Sequence, residues 1–533
     1  MYLDVRFNSH KDGSKEPYGL LRESYRQNGK VLHREKGRIS GVPLEKLHQI
    51  SNILRNAIPF DQEREDTNSR EYGAVAAILA FARMLGLDNI IFSRKEPWRN
   101  IIMATIIGRL VYQGSKLFLS HIAKDTALWE LAGYQAGEAP DVDLIYDAMD
   151  QLLEHKDAIG AKLVKRHIVK GSIVLYDITS SYVEGECCEI AEFGYNRDLK
   201  KGHKQIVVGL LTTKDGCPVG VEVYKGNTAD QTTVIDWVKL LKEQYQLEEL
   251  IFIGDRGMLT KARIDEVAGA GFRSITALQH KQIQSLLNKE VIQLGLFDQK
   301  VVVEVIDPEN PQIRYLLCKN PSQQSKEAQT RQALLAKTEA QLKKIAESPK
   351  KRDDQAIAAQ VGKWLNRWKV GKYFEWRVTD GKLSFCRKQD IIETDEDLDG
   401  CYVIRTDVSG MDKEEAVSSY RRLAEVDRDF RQMKTVSLEL RPIYHRLEDR
   451  VKAHVFLCML ALYIQWHMRK ALRPLLASDQ KGRKKLWSFD EILLRLKSLR
   501  RQDSIIDGVS YVTHTQPDEE QAAILNLLQV KIV

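Results

Sequence analysis

The sequence predicts an α/β fold in which one domain of mixed strands and helices is interrupted by an insertion. Residues 171–280 alternate short β-branched and aromatic runs with segments of helical periodicity. Residues 73–170 show helical periodicity alone, and residues 281–405 return to strand patterns. A chain of 533 residues is also too long for one hydrophobic core, so several folded units are expected.

The order of strands and helices after residue 170 indicates which kind of α/β domain is present. The predicted elements are strands at 172–178, 205–211 and 219–224, a helix at 233–245, a strand at 250–253, a helix from 261 and a strand at 274–278. Three meandering strands followed by alternating helices and strands are typical of a ribonuclease-H-like domain. Such a domain still needs a last helix, which the pattern predicts at about 413–434.

These patterns divide the chain into six predicted regions. They are an N-terminal β region (1–72), a helical region that is a candidate DNA-binding unit (73–170), the first part of the ribonuclease-H-like catalytic domain (171–280), an inserted β domain with a helical hairpin (281–405), the second part of the catalytic domain (406–475) and a C-terminal helical tail (476–533). In the first region, Gln27-Asn-Gly-Lys30 predicts the turn of a β-hairpin.

Two aspartates lie in or directly after predicted core strands, where ionising a carboxylate is unfavourable. Asp177 follows apolar residues of the first strand, and Asp255 comes directly after the buried run 250–254. An ionised carboxylate there is unfavourable unless a cation meets it. Because the first and fourth strands are neighbours in the predicted sheet, the two carboxylates should converge. The alternatives are a buried salt bridge for Asp177 and a helix cap near Thr260 for Asp255.

A third aspartate is predicted from helical phase. In the helix from about 413, the apolar stripe that includes Val417 and Phe430 continues onto Asp427. Glu425 and Asp429 are expected on the opposite, solvent-facing side. The alternative for Asp427 is an ion pair with Arg431, one helical turn further on.

Three convergent carboxylates suit Mg²⁺, a hard cation that takes oxygen ligands and leaves room for phosphate and water. Two such ions about 4 Å apart would activate an attacking oxygen and stabilise a leaving one. Arg431 and Lys434 would then neutralise a nearby phosphate.

Composition restricts the class of protein. The net charge of +7 favours a polyanionic partner. Seven cysteines without Cys-x-x-Cys spacing argue against a zinc site and a disulfide framework, and for a reducing cytoplasm. The longest apolar stretch, 453–464, is too short to span a bilayer, so we expect a buried core helix and no membrane partner.

Several short motifs follow one another in order. They are Tyr176-Asp-Ile-Thr-Ser-Ser-Tyr182, Gly194-Tyr-Asn-Arg197, His203-Lys-Gln205, Gly226-Asn227, Gly254-Asp-Arg-Gly257, the stretch Tyr420–Lys434, and Arg441-Pro-Ile-Tyr-His445. With this ordered set the chain resembles the DDE transposases of bacterial insertion sequences. The group is the IS-four superfamily with a Tyr-Arg-Glu-Lys motif, and within it the IS-sixteen-thirty-four type. The resemblance covers residues from about 20 to about 510.

The resemblance implies that Asp177 and Asp255 are the first two catalytic acids and that Tyr420 and Lys434 are the outer members of the four-residue motif. Asp427 stands where the motif has glutamate.

A second departure lies within the same motif. Leu423 stands where the motif has arginine, and Arg421 or Arg422 is a candidate to replace that arginine.

The resemblance also implies an activity, which is metal-dependent cleavage and strand transfer at the terminal inverted repeats of an insertion sequence. Mn²⁺ is expected to substitute for Mg²⁺. The partners are transposon-end DNA and target DNA, bound by a homodimer in a synaptic complex associated with the nucleoid in the bacterial cytoplasm. Two alternatives stay open: a nuclease without an integration step, and an inactive DNA-binding protein descended from a transposase.

The predicted helical hairpin carries an excess of positive charge. Residues 322–372 hold twelve basic and five acidic side chains. We expect the hairpin to follow the phosphate backbone, with Lys350, Lys351 and Arg352 at its tip. In relatives an aromatic side chain of the insertion stacks on a flipped base, and the candidates here are Trp364, Trp368 and Trp376.

Overall fold

The computed structural model describes most of the chain. The described residues are 2–9, 15–27, 30–54, 64–185, 187–195, 197, 200, 202–298, 301–348, 353–436, 438, 440–441, 443–476, 487–506 and 509–532. The chain forms two compact units: Met1–Arg70 with Arg500–Thr515, and Glu71–Leu499 with Gln516–Val533.

Strands and helices in the described ranges are numbered in chain order. The strands are β1 (Tyr2–Ser9), β2 (Lys15–Gln27), β3 (Lys30–Ser40), β4 (Arg64–Glu71), β5 (Ile173–Tyr182), β6 (Gln205–Thr213), β7 (Pro218–Lys225), β8 (Ile251–Gly254), β9 (Arg273–Ala277), β10 (Val303–Ile306), β11 (Arg314–Lys319), β12 (Phe374–Thr379), β13 (Lys382–Arg387), β14 (Cys401–Thr406), β15 (Arg500–Ile506) and β16 (Val509–His514). The helices are α1 (Leu44–Leu54), α2 (Gly73–Met84), α3 (Leu87–Ile91), α4 (Pro97–Tyr112), α5 (Lys116–His121), α6 (Val142–Glu154), α7 (Lys156–His167), α8 (Asp230–Lys239), α9 (Lys261–Gly269), α10 (His280–Asn288), α11 (Pro321–Ala346), α12 (Asp354–Arg367), α13 (Gln389–Asp397), α14 (Lys413–Arg421), α15 (Leu423–Arg431), α16 (Glu448–Ala471), α17 (Arg473–Leu476), α18 (Phe489–Lys497) and α19 (Glu519–Leu528).

The first unit is built from two small antiparallel sheets. Strands β1, β2 and β3 form one of them, and Gln27 pairs with Lys30 where the hairpin was predicted. Strands β4, β15 and β16 form the other. The C-terminal region 476–533 was predicted to be helical, which is wrong for β15 and β16. Strand β15 pairs with β4, more than 400 residues earlier, and β16 pairs with β15, and no local pattern reveals such partners.

The second unit is organised around a sheet of eight strands in the order β10-β11-β14-β9-β8-β5-β6-β7. Strands β5, β6 and β7 are antiparallel, whereas β8 runs parallel to β5, and β9 runs parallel to β8. The predicted α/β class is therefore confirmed, and the first and fourth predicted strands are neighbours as expected.

Helices cover both faces of this sheet. On one face Val174 and Tyr176 of β5 pack with residues of α8 and α9. On the other face Ile173 and Leu175 belong to the main core, together with residues of α15 and α16. Because side chains alternate along a strand, Asp177 is on the same face as Leu175 and points toward α15.

Three strands of the segment 281–405 (β10, β11 and β14) join the same sheet, whereas β12 and β13 form a separate two-stranded sheet. Strand β14 pairs antiparallel with β9, and β11 and β10 follow it outward, so the exposed edge of β9 is covered. Helices α11 and α12 and the ribbon β12–β13 form their own small hydrophobic core. This core includes Leu335, Val361 and Phe374.

Helix α16 is the centre of the main core. Its residues from Ala453 to Gln465 are all buried, which confirms the predicted core helix. It packs against β7 and against α4 and α6 of the helical region. No helix in the described part of the chain is both long and apolar enough to cross a membrane.

Replacing Leu457 of α16 by alanine should destabilise the second unit by about 2–5 kcal/mol, because the side chain is fully buried and leaves a cavity. Urea denaturation followed by circular dichroism measures the change. The control is Leu494→Ala, at a side chain that is 67% exposed, which should leave the midpoint nearly unchanged. Equal midpoints for both variants would contradict the central role of α16.

Candidate active site

Strand β5 and the end of β8 place the first two acids side by side. In the parallel pairing of these strands Tyr176 is opposite Gly254, and Asp177 and Asp255 are the next residue of each strand. The Asp177 carboxylate accepts a hydrogen bond of 2.8 Å from the backbone N–H of Ile178. The convergence expected from the strand order is therefore present.

Asp255 begins a tight turn. Its side chain accepts the backbone N–H of Arg256 at 2.7 Å, and its carbonyl oxygen accepts those of Met258 and Leu259. Thr260 is the N-terminal cap of α9. The carboxylate of Asp255 is exposed and lines a cavity.

The third acid lies on a helix that is interrupted just before it. Helix α14 ends at Arg421 and α15 begins at Leu423, and a π-helical turn from Gln432 to Val436 follows α15. Val426 and Phe430 are the buried residues of α15.

The sequence pattern predicted Asp427 on the buried, apolar stripe of this helix. In the structure Asp427 lies next to the buried residues Val426 and Phe430 and not among them. Its side chain is exposed, and its charge lies close enough to the Asp177 carboxyl group to raise the pKa of that group.

Glu425 and Asp429 were expected to face open solvent, and this prediction is wrong. Both are partly buried against the turn between β6 and β7. A β-carbon on Gly216 of that turn would lie 3.4 Å from a Glu425 carboxylate oxygen and 3.7 Å from one of Asp429. The error has a physical reason, since the sheet edge packs on this side of α15 and no helical pattern can show it.

The three acids line one cavity of about 990 Å³. Its lining residues are Asp177, Ile178, Thr179, Arg197, Asp230, Asp255, Met258, Asn320, Tyr402, Tyr420, Arg421, Leu423, Ala424, Asp427, Phe430, Arg431, Lys434 and Arg441. Tyr420, Asp427 and Lys434 all line it.

The acids of this cavity are difficult to ionise together. Burial, followed by repulsion from Asp427 and Asp255, raises the pKa of Asp177 to about 8. Charging all three acids is therefore costly unless a cation is present. Carboxylate oxygens are the donors that Mg²⁺ and Mn²⁺ prefer, so the residues present fit such an ion.

The tyrosine and arginine of the predicted motif take distinct positions. The hydroxyl of Tyr420 donates to the Asp255 carboxylate at 3.3 Å. Arg421 lines the cavity and donates to the hydroxyl of Tyr402. Arg422 turns away and binds Asp215 at 2.7 Å in the β6–β7 turn. The family motif has arginine where this chain has Leu423. Of the two candidates to replace that arginine, only Arg421 reaches the cavity.

Sequence reasoning gave no role to five residues of the cavity: Arg197, Asp230, Asn320, Tyr402 and Arg441. Arg197 binds Asp230 at 2.6 Å, so a basic and an acidic side chain are held together at the cavity wall. The motifs containing Arg197 and Arg441 were visible in sequence as ordered short matches. Asp230 follows Gly226-Asn227 closely and carries no local signal of its own.

The sequence also predicted DNA contacts by basic and aromatic residues of the inserted segment 281–405. Lys350, Lys351 and Arg352 fall outside the described residues. Trp364 and Trp368 stack with ring centroids 5.4 Å apart, and Arg367 lies over both rings. Trp376 is on β12 and is 36% exposed.

Comparison with known proteins identifies the family. A family profile described as the transposase DDE domain matches residues 169–464, more than half of the chain. The chain belongs to this transposase family. One solved structure that it matches is the piggyBac transposase in a synaptic complex with hairpin DNA, determined by cryo-EM, at a TM-score of 0.37 and 10% identity over 80% of this chain and 79% of the other. No curated protein sequence matches the chain.

Transposases of the DDE family generally use divalent metal ions, which agrees with the donor set of the cavity.

The metal-free transposase should be stabilised by Asp177→Asn at pH 8. Because folding raises the pKa of Asp177, the wild type loses stability as pH rises from about 4 to about 8, and the amide avoids this loss. We expect a melting temperature at least about 2 °C higher for the variant in chelator at pH 8, and a smaller difference at pH 5. Differential scanning calorimetry measures both.

The control is Asp265→Asn, at an exposed acid of α9, which should not change the melting temperature at either pH. A lower melting temperature for Asp177→Asn at pH 8 would contradict the repulsion.

Proposed function

We propose that this transposase cleaves DNA at the terminal inverted repeats of its own insertion sequence and joins the ends to target DNA, a cut-and-paste transposition. The observation that carries the proposal is the convergence of Asp177, Asp255 and Asp427 from β5, the end of β8 and α15 on one cavity. We assign these three as the catalytic acids. The order β7-β6-β5-β8-β9, with β5, β8 and β9 parallel, supports a ribonuclease-H-like catalytic domain.

The three acids would hold two Mg²⁺ ions, for which Mn²⁺ can substitute. Among the described residues, their ligand atoms do not all lie within 4.8 Å of one another, which favours two ions over one. When bound, the ions activate the attacking oxygen and stabilise the leaving oxygen of an in-line displacement. Asp177 must lose its proton for this role, so its raised pKa makes metal binding dependent on pH.

The remaining residues of the cavity position the acids and the DNA. Tyr420 orients Asp255 through its hydroxyl group. Lys434 is 93% buried and lines the cavity, so its ammonium group is a fixed positive charge for a phosphate beside the acids. Arg431 and Arg421 lie at the same cavity and are exposed, which suits contacts to the phosphates on either side of the cleaved one.

The proposed partners rest on the resemblance to insertion-sequence transposases. We infer that the protein binds transposon-end DNA and target DNA and acts as a homodimer in a synaptic complex, associated with the nucleoid of a bacterial cytoplasm. The ordered motifs favour the IS-four superfamily and its IS-sixteen-thirty-four type.

Replacing each acid by its amide should abolish cleavage while DNA binding remains. Asp177→Asn, Asp255→Asn and Asp427→Asn keep the shape of the side chain but remove the charge that holds metal, so we expect at least a hundredfold loss of excision. Excision of a plasmid-borne element with its native ends, in Mg²⁺ and in Mn²⁺, measures the activity, and a gel-shift assay measures end binding.

Glu425→Gln is the matched control, because this acid lies two residues from Asp427 and faces the β6–β7 turn. It should retain activity. Cleavage without joining in the wild type would show a nuclease, and end binding without cleavage would show an inactive descendant. Full excision by any of the three amide variants would remove that residue from the site.

The helical hairpin formed by α11 and α12 is proposed to follow the DNA backbone. Part of its positive charge is already compensated, because Arg331 forms a buried ion pair with Asp399 and Lys372 pairs with Asp395. The side chains of Lys326, Lys337, Lys344, Lys363 and Arg367 are exposed along the hairpin. This leaves a basic surface on an element whose core is separate from the sheet.

Replacing Lys350, Lys351 and Arg352 together by alanine should weaken end binding and flatten its dependence on salt. Each lost phosphate contact lowers the slope of log affinity against log salt by about 0.9. Fluorescence anisotropy with labelled end DNA between 50 and 200 mM salt measures the slope. The control removes three exposed lysines from α7, α8 and the loop after α7: Lys165, Lys239 and Lys170. The same slope in both triple variants and the wild type would contradict a DNA-binding tip.

A further inference from the structure

A second cluster of metal-ligating side chains lies outside the cavity of the three acids. His167 ends α7, Cys217 is in the turn between β6 and β7, and His467 is in the last part of α16. One ligand atom from each of these three residues lies within 4.8 Å of the other two. No other group of three histidine, cysteine or acidic residues among the described residues is this close.

The distances are near those of a bound ion. The Cys217 sulfur is 3.8 Å from Nε2 of His467. In a tetrahedral zinc site with Zn–S near 2.3 Å and Zn–N near 2.05 Å, sulfur and nitrogen are about 3.6 Å apart. The two imidazole rings have centroids 5.6 Å apart and are tilted by 41°. The Cys217–His467 distance is therefore close to that of two ligands of one zinc ion.

The rings are also held in place. Nε2 of His167 is 2.9 Å from the hydroxyl of Tyr463, which leaves Nδ1 as the nitrogen available to an ion. Metal-bound imidazoles usually have such a partner on the second nitrogen, because it fixes the tautomer and the ring orientation. Edge contacts with Tyr463 and Trp466, at 4.6 and 4.8 Å between centroids, fix the ring of His467.

A buried carboxylate faces the same turn. Asp429 of α15 has one side-chain oxygen that is buried and has no hydrogen-bond partner among the described residues. This oxygen would lie 3.7 Å from a β-carbon on Gly216, the residue before Cys217. An unpaired buried carboxylate is unfavourable, and a nearby cation removes that cost. Asp429 is not in the group whose ligand atoms all lie within 4.8 Å of one another, so its side chain would have to turn toward the three residues to reach a shared ion.

We propose that His167, Cys217 and His467 bind one Zn²⁺ ion, with Asp429 or a water molecule as the fourth ligand. One thiolate and two imidazoles suit this borderline-soft ion, whereas Mg²⁺ takes oxygen ligands. On binding, the S–H bond of Cys217 is broken, a Zn–S bond forms and the proton leaves to solvent. The ion would tie together α7, the β6–β7 turn and α16, three elements of the second unit.

The absence of Cys-x-x-Cys spacing had argued against a zinc site. The ligands proposed here are 50 and 250 residues apart in sequence, so only the packing of the chain brings them together.

The test is the metal content of the full-length protein and its cobalt spectrum. Protein purified without chelator should contain about one zinc per chain by mass spectrometry of the metal. After removal of zinc, Co²⁺ should give visible bands and a near-ultraviolet band from thiolate-to-cobalt charge transfer. Cys217→Ser and His467→Ala should lose at least tenfold in Co²⁺ affinity, and Cys217→Ser should lose the charge-transfer band. A tenfold loss in Asp429→Asn would identify it as the fourth ligand, and unchanged affinity would identify water.

Cys458→Ser is the matched control, because this buried thiol of α16 also contacts a histidine, His454 at 3.9 Å, but forms no group of three ligands with other residues that the structure describes. It should keep the zinc and the cobalt bands. Asp177→Asn should also keep both, which separates this ion from those of the catalytic cavity. If a variant folds poorly, zinc should still raise the melting temperature of the wild type.

The proposal is overturned if the wild type holds no zinc and gives no charge-transfer band with Co²⁺. It is overturned equally if Cys458→Ser loses the band and Cys217→Ser keeps it. In either case the Cys217–His467 contact is a weak hydrogen bond within the core.

Discussion

Repulsion among three carboxylates held in one cavity is the constraint on which the site depends. On one face of strand β5, Leu175 lies in the core and Asp177 lies at the cavity, so the same strand that builds the sheet provides the most buried of the three acids. Helix α15 is held against β5 by Val426 and Phe430, and this packing carries Asp427 up to Asp177. The energy of apolar burial therefore opposes the electrostatic repulsion, and a bound cation would relieve it.

Two acids of helix α15, Asp427 and Asp429, point in different directions and face surroundings with different possible metal ligands. Asp427 faces a cavity whose donors are carboxylates, which suits a hard ion that must exchange water and phosphate. Asp429, half a turn further on, faces the β6–β7 turn with its thiol and two imidazoles nearby. A zinc ion there would fix the sheet edge, α7 and α16 relative to one another. The catalytic helix would then pack on a rigid support, which a site with tight geometric demands requires.

Much of the fold could be predicted from sequence because its signals are local. The strands 205–211 and 250–253 and the core helix at 453–464 each show their own periodicity, and the structure has elements at these places. Asp177 and Asp255 could be found because an acid at the end of an apolar strand is costly.

What the sequence could not show depends on packing between distant segments. The burial of Asp429 requires knowing that the β6–β7 turn lies against α15. The joining of β14 to β9 and the His167–Cys217–His467 cluster likewise come from residues far apart in the chain. For the same reason Arg421 and Arg422 could not be told apart until the break between α14 and α15 was visible.

The central claim is that Asp177, Asp255 and Asp427 together hold divalent metal. The most direct measurement is anomalous diffraction from crystals of the full-length protein soaked in Mn²⁺. The claim predicts anomalous peaks between these carboxylates, about 2.0–2.3 Å from their oxygens, in the wild type and their loss in Asp177→Asn. Occupied Mn²⁺ elsewhere on the protein with none between the three acids, at millimolar Mn²⁺, would contradict it.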